Sequence, residues 1–284
     1  MTTRQKRLDL RHFLLAALCC ALCSVSGFTQ RGWEIGINGG VANYFGDLNT
    51  NYSFREFGPA GGVLARYNFN PRVALRINGN YARIGGDDAN STNNFERARN
   101  LNFRSDVLDG EMALEFNFLN YLHGDRDEFF SPYVFAGFAV VNFDPKTEVD
   151  GETVQLQPLG TEGQFRGEEY SRTQGALAFG LGMKVSLSYR WSLNFELGAR
   201  HMFTDYLDDV STNYADPEDI ENLRGELAAR LSDRSILIDG VNDGQIGEPG
   251  RQRGDSTNRD YYATFKVGVL YYLGSLRCPE VSRK

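Results

Sequence analysis

The sequence predicts an all-β protein, an eight-stranded antiparallel transmembrane up-and-down β-barrel with long extracellular loops and a short helix in the last loop. Three observations predict this fold. Apolar side chains alternate with polar or small ones over long segments, a period that places them on opposite faces of a strand. The connections between these segments alternate in length. The polar face carries charged residues among glycines and serines, as a barrel interior does.

The N-terminal segment predicts export. Four basic side chains precede the apolar stretch 13–25, and small residues around Gly27 suit a cleavage site. We therefore expect a signal peptide at 1–27, an outer-membrane barrel at 28–273 and a periplasmic tail at 274–284. An even number of strands places both termini on the same side, which we expect to be the periplasm, and we expect the protein in the cell outer membrane.

The first five strands are predicted around residues 33–42, 61–69, 73–81, 103–119 and 133–143. The side chains expected to face outward are Trp33, Ile35, Ile37 and Val41, then Val63, Ala65, Tyr67 and Phe69, then Val73, Leu75, Ile77 and Tyr81, then Leu108, Met112, Leu114, Phe116 and Phe118, and on the fifth strand Tyr133, Phe135, Val141 and Phe143. Charged and amide side chains at the intervening positions are expected to face the interior.

The sixth and seventh strands form a predicted hairpin between residues 175 and 203, with a tight turn at 189–191. Its outward positions are Leu177, Phe179, Leu181, Met183, Val185, Leu187 and Tyr189, then Trp191, Leu193, Phe195, Leu197, Ala199, His201 and Phe203. Each run exceeds the about 9–11 residues that a tilted strand needs to cross a bilayer. Tyr189 and Trp191 suit an aromatic girdle at the membrane surface.

The last strand is predicted at 261–273, after the longest connection, residues 204–260. Asp216 as N-cap and Pro217 in the first turn predict a helix that runs to about Leu231. Along the chain the seven connections read long, short, long, modest, long, short and very long. Outer-membrane barrels have short periplasmic turns and long external loops, so this alternation fixes the predicted topology.

Charge and hydropathy exclude several classes of protein. Residues 1–27 contain four Lys/Arg and one Asp, so the remaining chain has 26 basic and 36 acidic residues and a net charge of −10. This charge argues against a nucleic-acid partner, because nothing offsets the repulsion from phosphate. The mature sequence has no stretch as apolar as a membrane helix, so a membrane-spanning chain of this kind must be a closed barrel.

Charged side chains at inward positions are predicted to form a structural ion-pair network that fills the lumen. These residues are Glu34, Arg66, Arg76, Glu111, Glu115, Lys184, Glu196, Arg200 and Lys266. A transport path is the alternative, but an eight-stranded barrel is filled by its own side chains. Charges in so dry a space must be paired.

No catalytic, cofactor or metal site is predicted, and no small-molecule substrate is expected. His123 is expected in a solvated inner turn, and His201 on the outer wall near the rim without a serine or carboxylate beside it. Asp205, Asp208 and Asp209 lack the spacing of a calcium loop, so we expect them to be solvated.

Cys278 is the single cysteine left after removal of the signal peptide, in an oxidising compartment. It lies just past the last strand. A leftover cysteine of this kind is either an inert thiol or a partner in an intermolecular disulfide, and both interpretations stay open.

Two motifs carry a family resemblance. The first strand and its exit read Gly-Gly-Val-Ala-Asn-Tyr-Phe-Gly-Asp-Leu at 39–48, and the end reads Tyr-Tyr-Leu-Gly at 271–274 followed by Cys278-Pro279. Together they resemble the PorG-like outer-membrane barrels of the Bacteroidetes type IX secretion system. The resemblance implies a non-enzymatic subunit of this protein secretion and gliding motility machinery. Its tail, with Cys278, would contact a periplasmic ring lipoprotein, and outer-membrane lipids would surround the barrel.

Two other functions compete with this expectation. An OmpA-like structural or adhesion barrel would serve envelope integrity or attach to surfaces through its long loops. A lipid-active barrel enzyme would need a histidine-dependent activity, and the neighbours of His201 do not favour one.

Overall fold

Eight long strands form a closed antiparallel barrel in the computed structural model, which describes residues 31–274. The strands are β1 (Gly32–Phe45), β2 (Gly58–Asn68), β3 (Val73–Asp87), β4 (Asn102–Asn117), β5 (Phe130–Val149), β7 (Thr173–Ser186), β8 (Trp191–Met202) and β9 (Tyr261–Tyr272), with a short β6 (Glu152–Gln155) that pairs with β5 alone. Each strand pairs with its neighbour along the chain, and β1 pairs with β9 from Glu34 opposite Tyr272 to Phe45 opposite Tyr261. The predicted fold class is confirmed.

The connections divide between the two ends of the barrel. The turns 69–72 and 187–190 and the segment 118–129 lie at the inner end, where β1 begins and β9 finishes. At this end the Leu273 amide donates to the Trp33 carbonyl at 2.7 Å. The connections 46–57, 88–101, 150–172 and 203–260 all lie at the opposite, outer end, and 46–57 is as long as the inner segment 118–129. The region 144–172, predicted as a loop, contains the end of β5 and the β5–β6 hairpin, because β5 continues beyond the barrel wall.

Three short helices lie in the outer connections: α1 (Asn94–Arg99), α2 (Pro217–Arg224) and α3 (Glu226–Ser232). The Asp216 side chain accepts from the Glu218 amide at 2.9 Å, as an N-cap does. The single helix predicted to reach Leu231 is wrong, because Gly225, with φ of 94°, breaks it into α2 and α3. None of the helices between residues 31 and 274 has the length and apolarity of a membrane span.

An exposed apolar belt surrounds the barrel wall and is formed by the outward side chains. Its members include Trp33, Ile35, Ile37, Val63, Ile77, Leu108, Met112, Leu114, Phe116, Phe138, Val140, Leu177, Phe179, Leu181, Leu197, Phe265, Val267 and Val269. Ile37 is 68% exposed, and the inward Glu34 is fully buried. The predicted orientation therefore holds on seven of the eight barrel strands.

The exception is β5, where the predicted orientation is wrong. Tyr133, Phe135, Val141 and Phe143 are buried, whereas Val134, Phe138 and Val140 are exposed. Both faces of this strand are apolar, so alternation alone cannot orient it. The neighbouring strand β7 determines the orientation of β5, because Tyr133 and Phe135 pair with its residues Gly182 and Gly180. A Cβ on Gly182 would lie 2.4 Å from Tyr133 Cζ, so only glycine leaves room for the inward ring.

Three predicted features lie outside the described residues. These are the signal peptide at 1–27, nearly all of the tail at 274–284, and Cys278.

Candidate functional site

The nine predicted lumen residues all face the interior and are buried. They come from seven of the eight barrel strands: Glu34, Arg66, Arg76, Glu111, Glu115, Lys184, Glu196, Arg200 and Lys266. Asp109 joins them, so five cations face five carboxylates. The alternation of strand residues therefore assembles an electrically balanced layer across the barrel.

Glu115 is the centre of one half of this layer. Its Oε2 lies 3.0 Å from Arg66 Nη2, and its Oε1 contacts the Lys184 ammonium. Arg66 also donates to Glu34 Oε2 at 3.0 Å and to Asn194 Oδ1 at 3.0 Å. One guanidinium therefore ties together side chains from four strands.

Arg76 and Arg200 organise the other half. Arg76 lies 2.9 Å from Glu111 Oε1 and 2.6 Å from Glu196 Oε2, and its guanidinium stacks 4.0 Å from the centre of the Phe135 ring. Arg200 contacts Glu111, and Lys266 lies 3.5 Å from Glu196 Oε1. Because each charge has partners on other strands, the network fixes the barrel's cross-section and leaves the lumen filled.

His123 closes the inner end of the lumen. Its ring is buried, stacks on Tyr272 with centroids 4.4 Å apart, and places Nε2 3.2 Å from Glu34 Oε1. The prediction that His123 is solvated is wrong. The connection 118–129 folds back into the barrel mouth and buries Tyr121 beside it. No signal in the sequence indicated this burial, because a histidine in a connection between strands is usually solvated.

A folded cap closes the outer end. Two buried arginines hold its connections together. Arg253 donates to Glu162 Oε1 at 3.1 Å and to the Asp209 carbonyl at 2.6 Å. Arg99 pairs with Asp88 at 2.7 Å and donates to the Arg253 carbonyl at 2.6 Å. Leu48, Leu101, Leu156, Leu207, Val210 and Leu231 form its apolar core with the upper strands.

The motif at 39–48 locks the cap onto β1. The Tyr44 hydroxyl lies 2.6 Å from Asp208 Oδ2 and 2.9 Å from Asp260 Oδ1. Gly46 packs so closely that a Cβ there would lie 1.9 Å from Asp260 Oδ1. Asp47 accepts from the Asp255 amide at 2.9 Å. The physical role of this motif is therefore to attach the last and longest connection to the first strand.

The acidic residues of the last connection are buried, so the prediction that they are solvated is wrong. A phenol has one hydrogen to donate, so the second contact of Tyr44 is satisfied when Asp208 or Asp260 holds a proton. Burial raises the pKa of both carboxyls well above the ordinary value. Burial, reinforced by the charge of Asp47, raises the pKa of Asp205 to about 8. Burial also raises the pKa of Asp47 to about 6.

His201 lies half-buried on the outer wall of β8, paired in register with Leu177 and Tyr261. Among residues 31–274, no group of three or more His, Cys, Asp and Glu side chains is arranged to hold a metal ion.

Several solved structures are similar to this chain. Ail, the attachment invasion locus protein of Yersinia pestis, has 11% identity and a TM-score of 0.41, over 86% of this chain and 99% of Ail. The Neisserial surface protein NspA has 10% identity and a TM-score of 0.42, over 84% and 96%. The outer membrane protein OprG of Pseudomonas aeruginosa has 12% identity and a TM-score of 0.41, over 89% and 100%.

A comparison with curated proteins finds no match. A protein-family model matches residues 11–229, most of the chain including the motif at 39–48. The chain belongs to the family described as "Domain of unknown function (DUF6089)".

Proposed function

We propose that this protein is a non-enzymatic barrel of the outer membrane that anchors other components and does not transport solutes. The apolar belt carries this proposal. From Leu108 to Phe118, at about 3.4 Å per residue and a tilt of about 40°, β4 covers roughly 26 Å along the barrel axis, close to the height of an outer-membrane belt. Trp33 packs on Tyr67 and Trp191 on Tyr271 at the inner rim, as an aromatic girdle does.

A vesicle assay tests the location. The mature protein should refold into phospholipid vesicles, float with them in a density gradient and resist extraction by carbonate. Leu181→Arg places a cation in the belt and should reduce insertion, because arginine costs about 2–4 kcal/mol at the bilayer midplane. Glu152→Arg, on the exposed β6, is the matched control. Equal insertion of both variants, or no insertion of the wild type, would contradict the location.

The finer function within this class is a subunit of the type IX secretion and gliding machinery. The resemblance of residues 39–48 and 271–274 to PorG-like barrels supports it. β9 ends at the same end of the barrel as the short turns, so a tail that begins there and carries Cys278 is suited to a periplasmic ring lipoprotein. The lumen network supports anchoring, because a barrel filled with side chains can hold an attached protein in place but leaves no path for a solute.

Non-reducing and reducing gels of native membranes test this function, with Cys278→Ser as the control variant. A larger species that disappears with reductant and in the variant is the expected result, and mass spectrometry of that species should identify a ring lipoprotein. A protein that runs as a monomer in every lane would contradict an intermolecular disulfide through Cys278.

An OmpA-like structural or adhesion barrel is the second candidate, and the folded outer cap favours it. Leu237 is 71% exposed and Phe165 is 61% exposed, so the cap presents apolar side chains to the exterior. Deleting 203–260 would destroy the cap core, so Leu237→Ser with Phe165→Ser is the sharper test. Loss of cell attachment with secretion intact would favour this candidate.

A further inference from the structure

A charged band lies directly beyond the apolar belt on the outer wall of β3, β4 and β5. Tyr81 and Leu108 are opposite each other in the last apolar row. In the next outward row Arg83, Asp106 and Asp144 lie side by side, and in the row beyond it Gly85, Arg104 and Lys146 do. At about 4.8 Å between strands and 3.4 Å per residue, the band covers roughly 10 Å by 7 Å of the wall.

The carboxylates of this band are already paired. Asp106 Oδ1 accepts from Arg83 at 2.9 Å and from the Tyr81 hydroxyl at 2.6 Å. Asp144 lies 2.9 Å from Lys146 Nζ and accepts from Arg172 at 2.8 Å. The two rows contain three cations and two carboxylates, so the band has one surplus positive charge, while Glu56, Asp87 and Glu148 line the groove beside it.

Arg104 carries that surplus. Its side chain is exposed and makes no hydrogen bond or ion pair with another residue between 31 and 274. Its cross-strand neighbour is Lys146, and like charges directly opposite each other destabilise a sheet. An anion between the two side chains would turn this repulsion into charge-assisted hydrogen bonds.

A groove of about 480 Å³ adjoins the band on its outer side. Besides Arg83, Arg104 and Lys146 of the band, its lining includes Gly85, Gly86, Glu56, Phe57, Glu148 and Thr153. Its size is typical of small-ligand sites. An exposed aromatic ring with carboxylates and hydroxyls suits a sugar, whose hydroxyls donate to the acids and whose apolar face packs on the ring.

We propose that this face binds the phosphorylated sugar head group of a glycolipid in the outer leaflet. The phosphate would lie between Arg104 and Lys146, the sugar in the groove, and the acyl chains along the belt beside Tyr81 and Leu108. The inference rests on the proposed membrane location. A simple phospholipid would satisfy the cations but leave the groove empty, so the glycolipid is the occupant to which the geometry points.

Native mass spectrometry of the mature protein, released from phosphatidylcholine nanodiscs, tests the proposal. The probes are bisphosphorylated lipid A, the same lipid after dephosphorylation, and phosphatidylglycerol. We expect the bisphosphorylated glycolipid to bind about tenfold more tightly than either of the others, as two charge-assisted contacts can provide. Arg104→Gln with Lys146→Gln should remove that preference. Arg190→Gln, an exposed arginine at the opposite end of the barrel, should keep it.

Each contrary result contradicts a specific part of the proposal. Equal binding of the dephosphorylated lipid excludes phosphate recognition, and equal binding of phosphatidylglycerol excludes the glycolipid. An unchanged preference in the double variant, or in the exposed single variant Arg104→Glu, excludes this face. Flotation with vesicles separates these results from failure of the membrane location, because a barrel that inserts but does not discriminate among the lipids contradicts only the present proposal.

Discussion

Removal of the central lumen carboxylate should destabilise the barrel strongly. Glu115→Gln keeps the size of the side chain but leaves Arg66, at 3.0 Å, and Lys184 without their shared negative charge. Five cations would then face four carboxylates in a layer that water does not reach. Removing one partner of a buried ion pair costs about 3–5 kcal/mol, and we expect a loss of that size.

The free energy of unfolding can be measured by urea titration of the barrel in vesicles, followed by tryptophan fluorescence and by the gel mobility of the folded form. Glu152→Gln, an exposed carboxylate on β6, is the control and should change stability by less than about 0.5 kcal/mol. A second variant, Glu115→Gln with Lys184→Met, restores the balance of charge. Its loss in the free energy of unfolding should be smaller than the sum of the losses in Glu115→Gln and Lys184→Met by about 1–3 kcal/mol.

Two results would refute this reasoning. A loss in Glu115→Gln no larger than in the control would mean that water reaches the lumen and screens its charges. Strict additivity of the two single variants would mean that Lys184 and Glu115 do not act as a pair.

Three further predictions concern the fit of β5, the cap and the inner end. Gly182→Val should cost about 1–3 kcal/mol in the same titration, because its Cβ would overlap the Tyr133 ring, and Tyr133→Ala should recover part of the loss; an additive loss would show that Tyr133 does not fill this space. The cap should weaken as pH rises from about 5 to 9. Its carboxyls have a raised pKa in the folded state, about 6 for Asp47 and Asp209 and about 8 for Asp205, so the stability present below the unfolded pKa of about 4 is lost as they ionise. The rate of trypsin cleavage within 203–260 should therefore increase with pH, and Asp205→Asn should reduce the increase at the high end of this pH range. A cleavage rate that does not depend on pH would contradict the assignment. His123→Ala should leave planar bilayers non-conducting, because the ion-pair layer still closes the lumen, and steady ion conductance in this variant would show that it does not.

The barrel itself could be predicted because its physics is local and periodic. Seven strands have one clearly apolar face, so the alternation fixes which side chains reach the lumen, and charged residues as far apart as Glu34 and Lys266 could be placed in one layer from sequence. β5 could not be oriented this way. Its two faces are equally apolar, and the deciding feature, the small inward residues Gly180 and Gly182, belongs to another strand.

The segments that close the two ends of the barrel, the outer cap and the inner connection 118–129, could not be predicted, for a different reason. Acidic residues and a histidine in connections are usually solvated, so Asp208 and His123 gave no sign of burial. Their burial depends on partners that are distant in sequence: Tyr44 lies 164 residues from Asp208, and His123 stacks on Tyr272. Gly225, by contrast, was a readable break in the predicted helix.

The pairing of β1 with β9 has a consequence for how the chain folds. β1 is synthesised first and pairs with β9, which is synthesised last, so the barrel cannot close until β9 is present. Arg76 and Glu196 lie 120 residues apart, and Lys266 and Asn80 lie 186 apart. Contacts of such long range make folding slow, and until closure the cations of the lumen lack part of their partners. Closure of the seam therefore also completes the pairing of the interior charges.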